Sequence, residues 1–322
     1  MNSLSLIQLV QRRNPSYDQS EYLSEINAAY KECWDYIVQL DDSYFTDTKI
    51  VTVTVQGAEF DFLTNAPANL SSAISLRAFQ IDRIRVLPPG STAWVSAKPR
   101  NWNDDEFLAQ QQLSPQAVQT SGPYYYCVFS KFSILFAQPQ PVGTQFEMVY
   151  TFNWMPLQLV WNGTIAGSGA AITGTGTNFT QIVPADFQAA LPGNDQDTDI
   201  GVELVIGQGS LSQIYRVKAI ASDGALTLLN PILYPIPANT SYNLASVPDI
   251  PDSHHNTIGT VATRNFMSTP GNDSRVGFWA ALAEKEMDAM RDSIMIRQRQ
   301  EPARVRPFPQ RLLRYTVRPI GS

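Results

Sequence analysis

Between Val160 and Ser246 the sequence turns to Gly, Thr, Ala and Asn, while on both sides of this block apolar residues recur at helical spacing. A stretch that needs tight turns and a stretch that carries a 3.6-residue stripe cannot be one kind of element. The block opens on GTIAGSGAAITGTGTNFT, Gly163 to Thr180, with two glycine-x-glycine steps and almost no charge. A phosphate-cradling loop needs a strand before it, a helix after it and a lysine or acidic partner at the proper distance. Here IVPADFQAALPGNDQ follows, with no GK[ST], so the glycines read as turn residues joining strands. VELVIG, QIYRVKAIA and ALTLL are strand-like; Tyr215, Val217 and Ala219 share a face, Leu226 and Leu228 share an interior, and Asp223-Gly224 is a hairpin turn signal. The block reads as a small all-β barrel or sandwich.

The flanks read differently. Ser3 to Arg13 forms a short helical pattern stopped at Asn14-Pro15. Asp18 and Glu21 have capping-box spacing ahead of a stripe of Leu23, Ile26, Tyr30, Cys33 and Ile37. After the block, VPDIPDSHHNTIGTVATRNFMST is helical, and SRVGFWAALAEKEMDAMRDSIMIRQRQ places Phe278, Leu282, Met287, Met290 and Ile294 along one side. Between the first helices and the block, KIVTVTVQGAEFDFL alternates across Gly57 as a hairpin-like pair, and IDRIRVL is a short third strand. NDDEFLAQQQ starts a helix in which Asp104 and Asp105 suit the N-terminal dipole better than a catalytic or metal pair. From Gly122 to Leu159 three strands read as an antiparallel meander, with a proline-glycine loop at Pro139 to Gly143 and an apolar corner at Trp154-Met155-Pro156.

These pieces give an α+β fold class: a helical bundle core with an antiparallel β meander, an inserted small all-β domain and an extended C-terminal arm. The expected domains are 1–157, a core of helices and strands; 158–247, the inserted β domain; 248–298, the closing helices of the core; and 299–322, the arm.

The chain of 322 residues has a net charge of −6, which argues against general nucleic-acid binding. Cys33 and Cys127 lack metal spacing and read as buried small hydrophobes. The first residues fail as a secretory signal, and MVYTFNWMPLQLVW is too short and too interrupted for a membrane span. His254 and His255, the only histidines, cannot assemble a multi-histidine metal centre. No GxSxG, HExxH or lysine-bearing P-loop occurs. The expectation is therefore no enzyme, with no catalytic residue, cofactor or metal.

Three stretches, in this order, resemble the head-to-tail connector, or adaptor, proteins of tailed bacteriophages: LIQLVQRRNPSY with the helix after it, FSILFAQPQPVGTQFEMVYTFNWMPL, and IPDSHHNTIGTVATRNFMSTPGNDSRVGFWAALAEKEMDAM. The likeness covers 1–157 and 248–298, and the β block falls between the second and third stretches as an insertion into a loop. The sequence departs from the family at Trp154-Met155-Pro156, where many relatives carry consecutive prolines. The resemblance implies a structural virion protein made in the host cytoplasm: a ring of about twelve subunits under the portal vertex, lining the DNA exit channel. Its partners would be the portal protein, a tail or neck protein and, in passing, genomic DNA, with no membrane. The alternatives are a tail-fibre, spike or decoration protein, or a glycan-binding protein that uses Trp161 and Tyr215.

From Ser293 onward seven arginines stand against the single acid Glu301, leaving this end at +6 and the remainder at −12. Arg297, Arg299, Arg304, Arg306, Arg311, Arg314 and Arg318 alternate with prolines and with Phe308, Leu312, Leu313 and Tyr315. Such a strip can make bidentate contacts and bury apolar anchors on a portal groove; a solvated tail and a DNA-phosphate contact are the other readings.

Overall fold

The computed structural model describes residues 1–41, 43–62, 65, 68–72, 78–113, 118–130, 132–183, 201–207, 212–268 and 273–300, with backbone alone at 113, 273–274 and 296–300. Two compact units emerge: Met1–Tyr44 with Trp154–Gln300, and Phe45–Asn153.

In the second unit two four-stranded sheets pack face to face. One has the order β1 (Thr46–Thr52), β8 (Gln145–Phe152), β3 (Ala78–Leu87), β4 (Val95–Ser96); the other runs β2 (Gly57–Asp61), β7 (Ser133–Gln140), β6 (Tyr125–Val128), β5 (Lys98–Pro99). Period-two alternation turns Val51, Ile84, Val86, Phe146 and Met148 of the first sheet toward Phe60, Tyr126, Ile134 and Phe136 of the second. Phe136 stacks on Phe146 with ring centroids 5.0 Å apart, and Phe60 meets Phe146 edge-on at 5.2 Å. Helix α3 (Asp105–Leu113) buries Phe107 against Cys127 and Ala137 on the other face of the second sheet.

Two expected pairings are corrected here. The stretches either side of Gly57 do not form a hairpin, because β1 pairs with β8 while β2 pairs with β7. The expected three-strand meander also breaks: β6 and β7 pair, but the turn at Pro141–Gly143 carries the chain into β8 of the other sheet. Alternation fixes which face of a strand is buried, and both strands of a sandwich corner satisfy it without pairing.

In the first unit, α1 (Ser3–Arg13), α2 (Gln19–Leu40), α4 (His255–Met267) and α5 (Asp273–Gln300) pack together, with α4 buried on most of its surface. The capping box of α2 forms: Asp18 accepts from the Ser20 and Glu21 amides, and Glu21 accepts from the Asp18 amide at 2.9 Å. On α5 the buried side is Ala283, Met290 and Ile294, whereas Phe278, expected on that stripe, is 66% exposed.

The rest of this unit is an eight-stranded sheet in the order β15 (Ile236–Thr240), β10 (Thr164–Ser168), β11 (Ala171–Thr175), β14 (Ala225–Leu228), β13 (Gln213–Ser222), β12 (Val202–Ile206), β16 (Tyr242–Ser246), β9 (Leu159–Val160). Ile165, Ile172, Leu204, Val217, Leu226, Tyr242 and Leu244 share one cluster although they come from strands across the whole order, so the sheet curls over a single core. At its root, Leu159 pairs with Ala245 and the Gln158 amide donates to Ser246 Oγ at 2.6 Å. Asn27 of α2 brackets Leu157, accepting from its amide at 2.7 Å and donating to its carbonyl at 3.0 Å.

The expectation of an α+β chain organised by a helical bundle core is overturned. Among the described residues the architecture is mostly β, with three sheets of four, four and eight strands beside five α-helices. The amphipathic stripes are conspicuous because each is long, yet most of the alternating segments between Thr46 and Ser246 become strands that build cores of their own. The expected extended arm lies outside the described residues from 301 onward.

The glycines of the block serve the strands. Gly163 has φ +79°, and a Cβ there would fall inside the contact radius of Thr175 O and of Gly176. Gly163→Ala is accordingly expected to cost about 2–4 kcal/mol, because it combines backbone strain with a clash that a β-strand cannot relieve. A loss below about 0.5 kcal/mol in urea unfolding, the range of neutral surface changes, would contradict it.

Candidate interaction surfaces

Arg297 and Arg299 fall in the last turn of α5, where only the backbone is described, and Arg304, Arg306, Phe308, Arg311, Leu312, Leu313, Arg314, Tyr315 and Arg318 lie outside the described residues. The partner contact assigned to them by sequence lies outside the described side chains.

Both histidines take structural positions. His255 is fully buried at the start of α4; its Nε2 lies 2.9 Å from Ile250 O and its Nδ1 2.6 Å from the Met1 amine. Burial, assisted by the charge of that amine, lowers its pKa to about 4. A neutral ring with its proton on Nε2 satisfies both contacts. His254 Nε2 lies 2.9 Å from Ser293 Oγ and links the start of α4 to α5. Among the described residues no cluster of His, Cys, Asp and Glu could hold a metal ion. Burial pushes the Cys33 thiol up to about 12 and raises that of Cys127, which suits packing rather than nucleophilic chemistry.

The His255 shift has a sign. As pH falls from 6.5 toward 4 the unfolded chain takes up a proton that the folded ring refuses, so stability declines through that window, by about 2–3 kcal/mol in all. Urea midpoints between pH 6.5 and 5, above the carboxylate range, should show the decline in the parent chain and a flatter profile in His255→Gln. Equal slopes in the two would remove His255 as the cause.

The Asp104 carboxylate accepts from the Glu106 amide at 2.9 Å and lies 3.9 Å from Arg100, so it caps α3 within an ion-pair group. A shallow groove of about 470 Å³ between α2 and α5 is lined by Lys31, Glu32, Asp35, Tyr36 and Met287 among others. Its charges are matched, since Lys31 pairs with Asp35 at 2.7 Å and Glu32 holds Arg264 through both oxygens at 3.1 and 2.6 Å. Trp161 is half-exposed after β9, whereas Tyr215 sits on β13 and donates to Gln213 at 2.8 Å. Strands β12 and β16 separate the two, so sheet pairing does not bring these aromatics together.

Sequence reading missed the apolar side chains that the fold leaves in water. Leu233 and Tyr234, between β14 and β15, are 89% and 78% exposed. In the other unit Trp102 and Phe129 lie with ring centroids 5.1 Å apart, each about half-exposed beside exposed Val128. Their separation in sequence follows no period; the available signal was an aromatic residue inside a polar turn, as in RNWND and VFSKF. No model of a known protein family matches the chain, and no curated protein matches it.

Proposed function

We propose that this protein is a structural virion component, an adaptor ring that joins the portal vertex of a bacteriophage capsid to the tail and lines the DNA exit channel. The observation that carries this reading is the meeting of the first and third resembling stretches, some 250 residues apart. Arg13 NH1 lies 3.3 Å from Thr260 Oγ1 and its guanidinium sits 4.9 Å over the Trp279 ring, while Tyr17 packs on Phe266 at 4.6 Å. The chain thus returns to its first helices before the arginine-rich sequence begins, an order that suits an adaptor whose C-terminal segment serves a partner.

Charge supports the same reading. With −12 on the residues before Ser293, a ring lumen built from them repels DNA and lets it pass without sticking. The stretch from Ser293 onward, at +6, is the segment suited to a partner's acidic groove. Mass photometry of the purified chain, alone and mixed with portal rings, tests the proposal: a discrete ring that adds to portal supports it, and a monomer that ignores portal overturns it.

A second reading draws on Leu233 and Tyr234, exposed between β14 and β15, and separately on half-exposed Trp161 after β9, each of which would suit stacking on a host glycan. A glycan array probed with the full chain gives signal only under that reading.

A further inference from the structure

Two links in the eight-stranded sheet place a glycine directly after an amide or acid side chain: Asn162-Gly163 between β9 and β10, and Asp223-Gly224 between β13 and β14. In such a link the glycine nitrogen can reach the side-chain carbonyl carbon of the residue before it and close a five-membered ring, and glycine has no Cβ to obstruct the approach. Asn162-Gly163 is the only Asn-Gly pair in the chain. The fold treats the two links oppositely. At Asp223 the carboxylate Oδ1 accepts from the Thr180 amide at 3.1 Å and from the Thr180 hydroxyl, while the Gly224 amide donates to Ser222 Oγ at 3.3 Å. Both reacting groups are thereby occupied.

Asn162 is open. Residues 161–163 are all exposed, and among the described residues the Asn162 carboxamide makes no hydrogen bond and the Gly163 amide donates to none. The contact that is made falls on the carbonyl between them, where buried Tyr242 donates its hydroxyl to Asn162 O at 2.8 Å. That oxygen receives charge when the Gly163 nitrogen loses its proton, because an amidate is delocalised over nitrogen, carbon and oxygen. A fixed donor aimed at developing charge lowers the barrier to forming it. The Tyr242 ring is held edge-on to Phe179 at 5.5 Å, and burial pushes its hydroxyl up to about 12, so it stays a donor in mildly alkaline water. The Asp223 carbonyl is polarised as well, by Thr177 Oγ1 at 2.5 Å, so what separates the two links is the freedom of the side chain and of the glycine amide.

We propose that Asn162 is a self-modification site, at which the Gly163 nitrogen attacks Asn162 Cγ while the Tyr242 hydroxyl stabilises the amidate. Hydroxide takes the Gly163 amide proton, the new bond from nitrogen to Cγ forms, and the bond from Cγ to Nδ2 breaks, Nδ2 leaving as ammonia with a proton from water. Water then opens the cyclic imide at either carbonyl and leaves an aspartyl or an isoaspartyl link. In sum one water is consumed and one ammonia released, with no oxidation or reduction. The product carries a new negative charge beside half-exposed Trp161. The isoaspartyl form also adds a methylene to the main chain beside Gly163, which already passes so close to Thr175 O and Gly176 that a Cβ would clash. The site belongs to the eight-stranded sheet and stands or falls independently of the adaptor reading.

The test incubates the full chain in warm, mildly alkaline buffer, folded and in urea, and follows each asparagine by peptide mass mapping, with an isoaspartyl methyltransferase as the probe for the rearranged link. The folded parent is expected to convert Asn162 ahead of every other asparagine and no more slowly than in urea, with no isoaspartate at Asp223. Asn162→Gln, which would need a six-membered ring, should stay unmodified. Tyr242→Phe keeps the ring and should slow the folded chain roughly tenfold or more, the worth of a hydrogen bond to a charged group, while its rate in urea matches the parent's. The sign separates this role from a structural one, since a variant that only loosened the sheet would free the link and speed the reaction. Slower conversion of Asn162 in the folded parent than in urea overturns the site without requiring any variant to fold. An undiminished rate in folded Tyr242→Phe, or isoaspartate at Asp223 before Asn162 is converted, overturns the geometry that selects it.

Discussion

Removal of Glu301–Ser322 is expected to leave the chain folded and to abolish the proposed attachment to portal rings. Among the described residues the last buried hydrophobic is Ile294, and their hydrophobic clusters lie upstream of the truncation. What it removes is a segment holding five arginines, Phe308, Leu312, Leu313 and Tyr315 in a proline-rich frame. Arginine forks hold carboxylates in pairs of hydrogen bonds, and the interleaved apolar groups gain free energy only if a partner covers them. A segment with no core of its own becomes ordered by folding onto that partner. Pull-down with portal rings, read beside circular dichroism of the truncated chain, separates the outcomes. Normal attachment sinks the docking role, and a loss confined to DNA affinity transfers the arm to the phosphate reading.

What could be read in advance divides by range along the chain. The capping box at Asp18 and Glu21 is a three-residue signal, and it forms as written. The turn glycines of the Thr164–Thr175 hairpin are equally local, since a positive φ is decided within a few residues. Strand partners are different. Val51 and Phe60 both alternate correctly across Gly57, yet Val51 pairs with Phe146 and Phe60 with Ile134, in opposing sheets. The two-residue strands Val95–Ser96, Lys98–Pro99 and Leu159–Val160 are too short to show any period, and they exist because a neighbouring strand offers free backbone groups.

The interaction surfaces were less legible still. The arm announces itself through charge and proline, which are compositional and survive without a fold. Trp102 and Phe129 become neighbours only after α3 has packed Phe107 beside Cys127. The turns at Pro89 and Gly143 meet because β8 pairs with both β1 and β3. A helical stripe also misleads, as at Phe278, which keeps the right spacing yet stays 66% exposed, its ring edge-on to that of its neighbour Trp279.

Tyr30→Ala is expected to be the most damaging single substitution in the helices. The ring is wholly buried, and it lies 6.2 Å from Trp34 and 6.0 Å from Trp154 by centroids. Its hydroxyl accepts from the Asp249 amide at 2.9 Å, so α2 grips the chain just after β16 through Tyr30, while Asn27, one turn earlier, grips Leu157 just before β9. Truncation removes the ring, opens a cavity and strands the amide, at a combined cost of about 3–5 kcal/mol. Tyr30→Phe keeps the ring and should cost about 1–2 kcal/mol, the part that belongs to the hydrogen bond. Trp34, only 5% exposed, is buried within its own subunit, so Trp34→Ala should likewise lower subunit stability instead of weakening assembly alone. Urea unfolding at a fixed protein concentration keeps any self-association from masking the loss. A Tyr30→Ala cost no larger than that of Tyr30→Phe would show that the ring contributes nothing beyond its hydroxyl, and the grip of α2 on the β16 exit would then be a matter of one hydrogen bond.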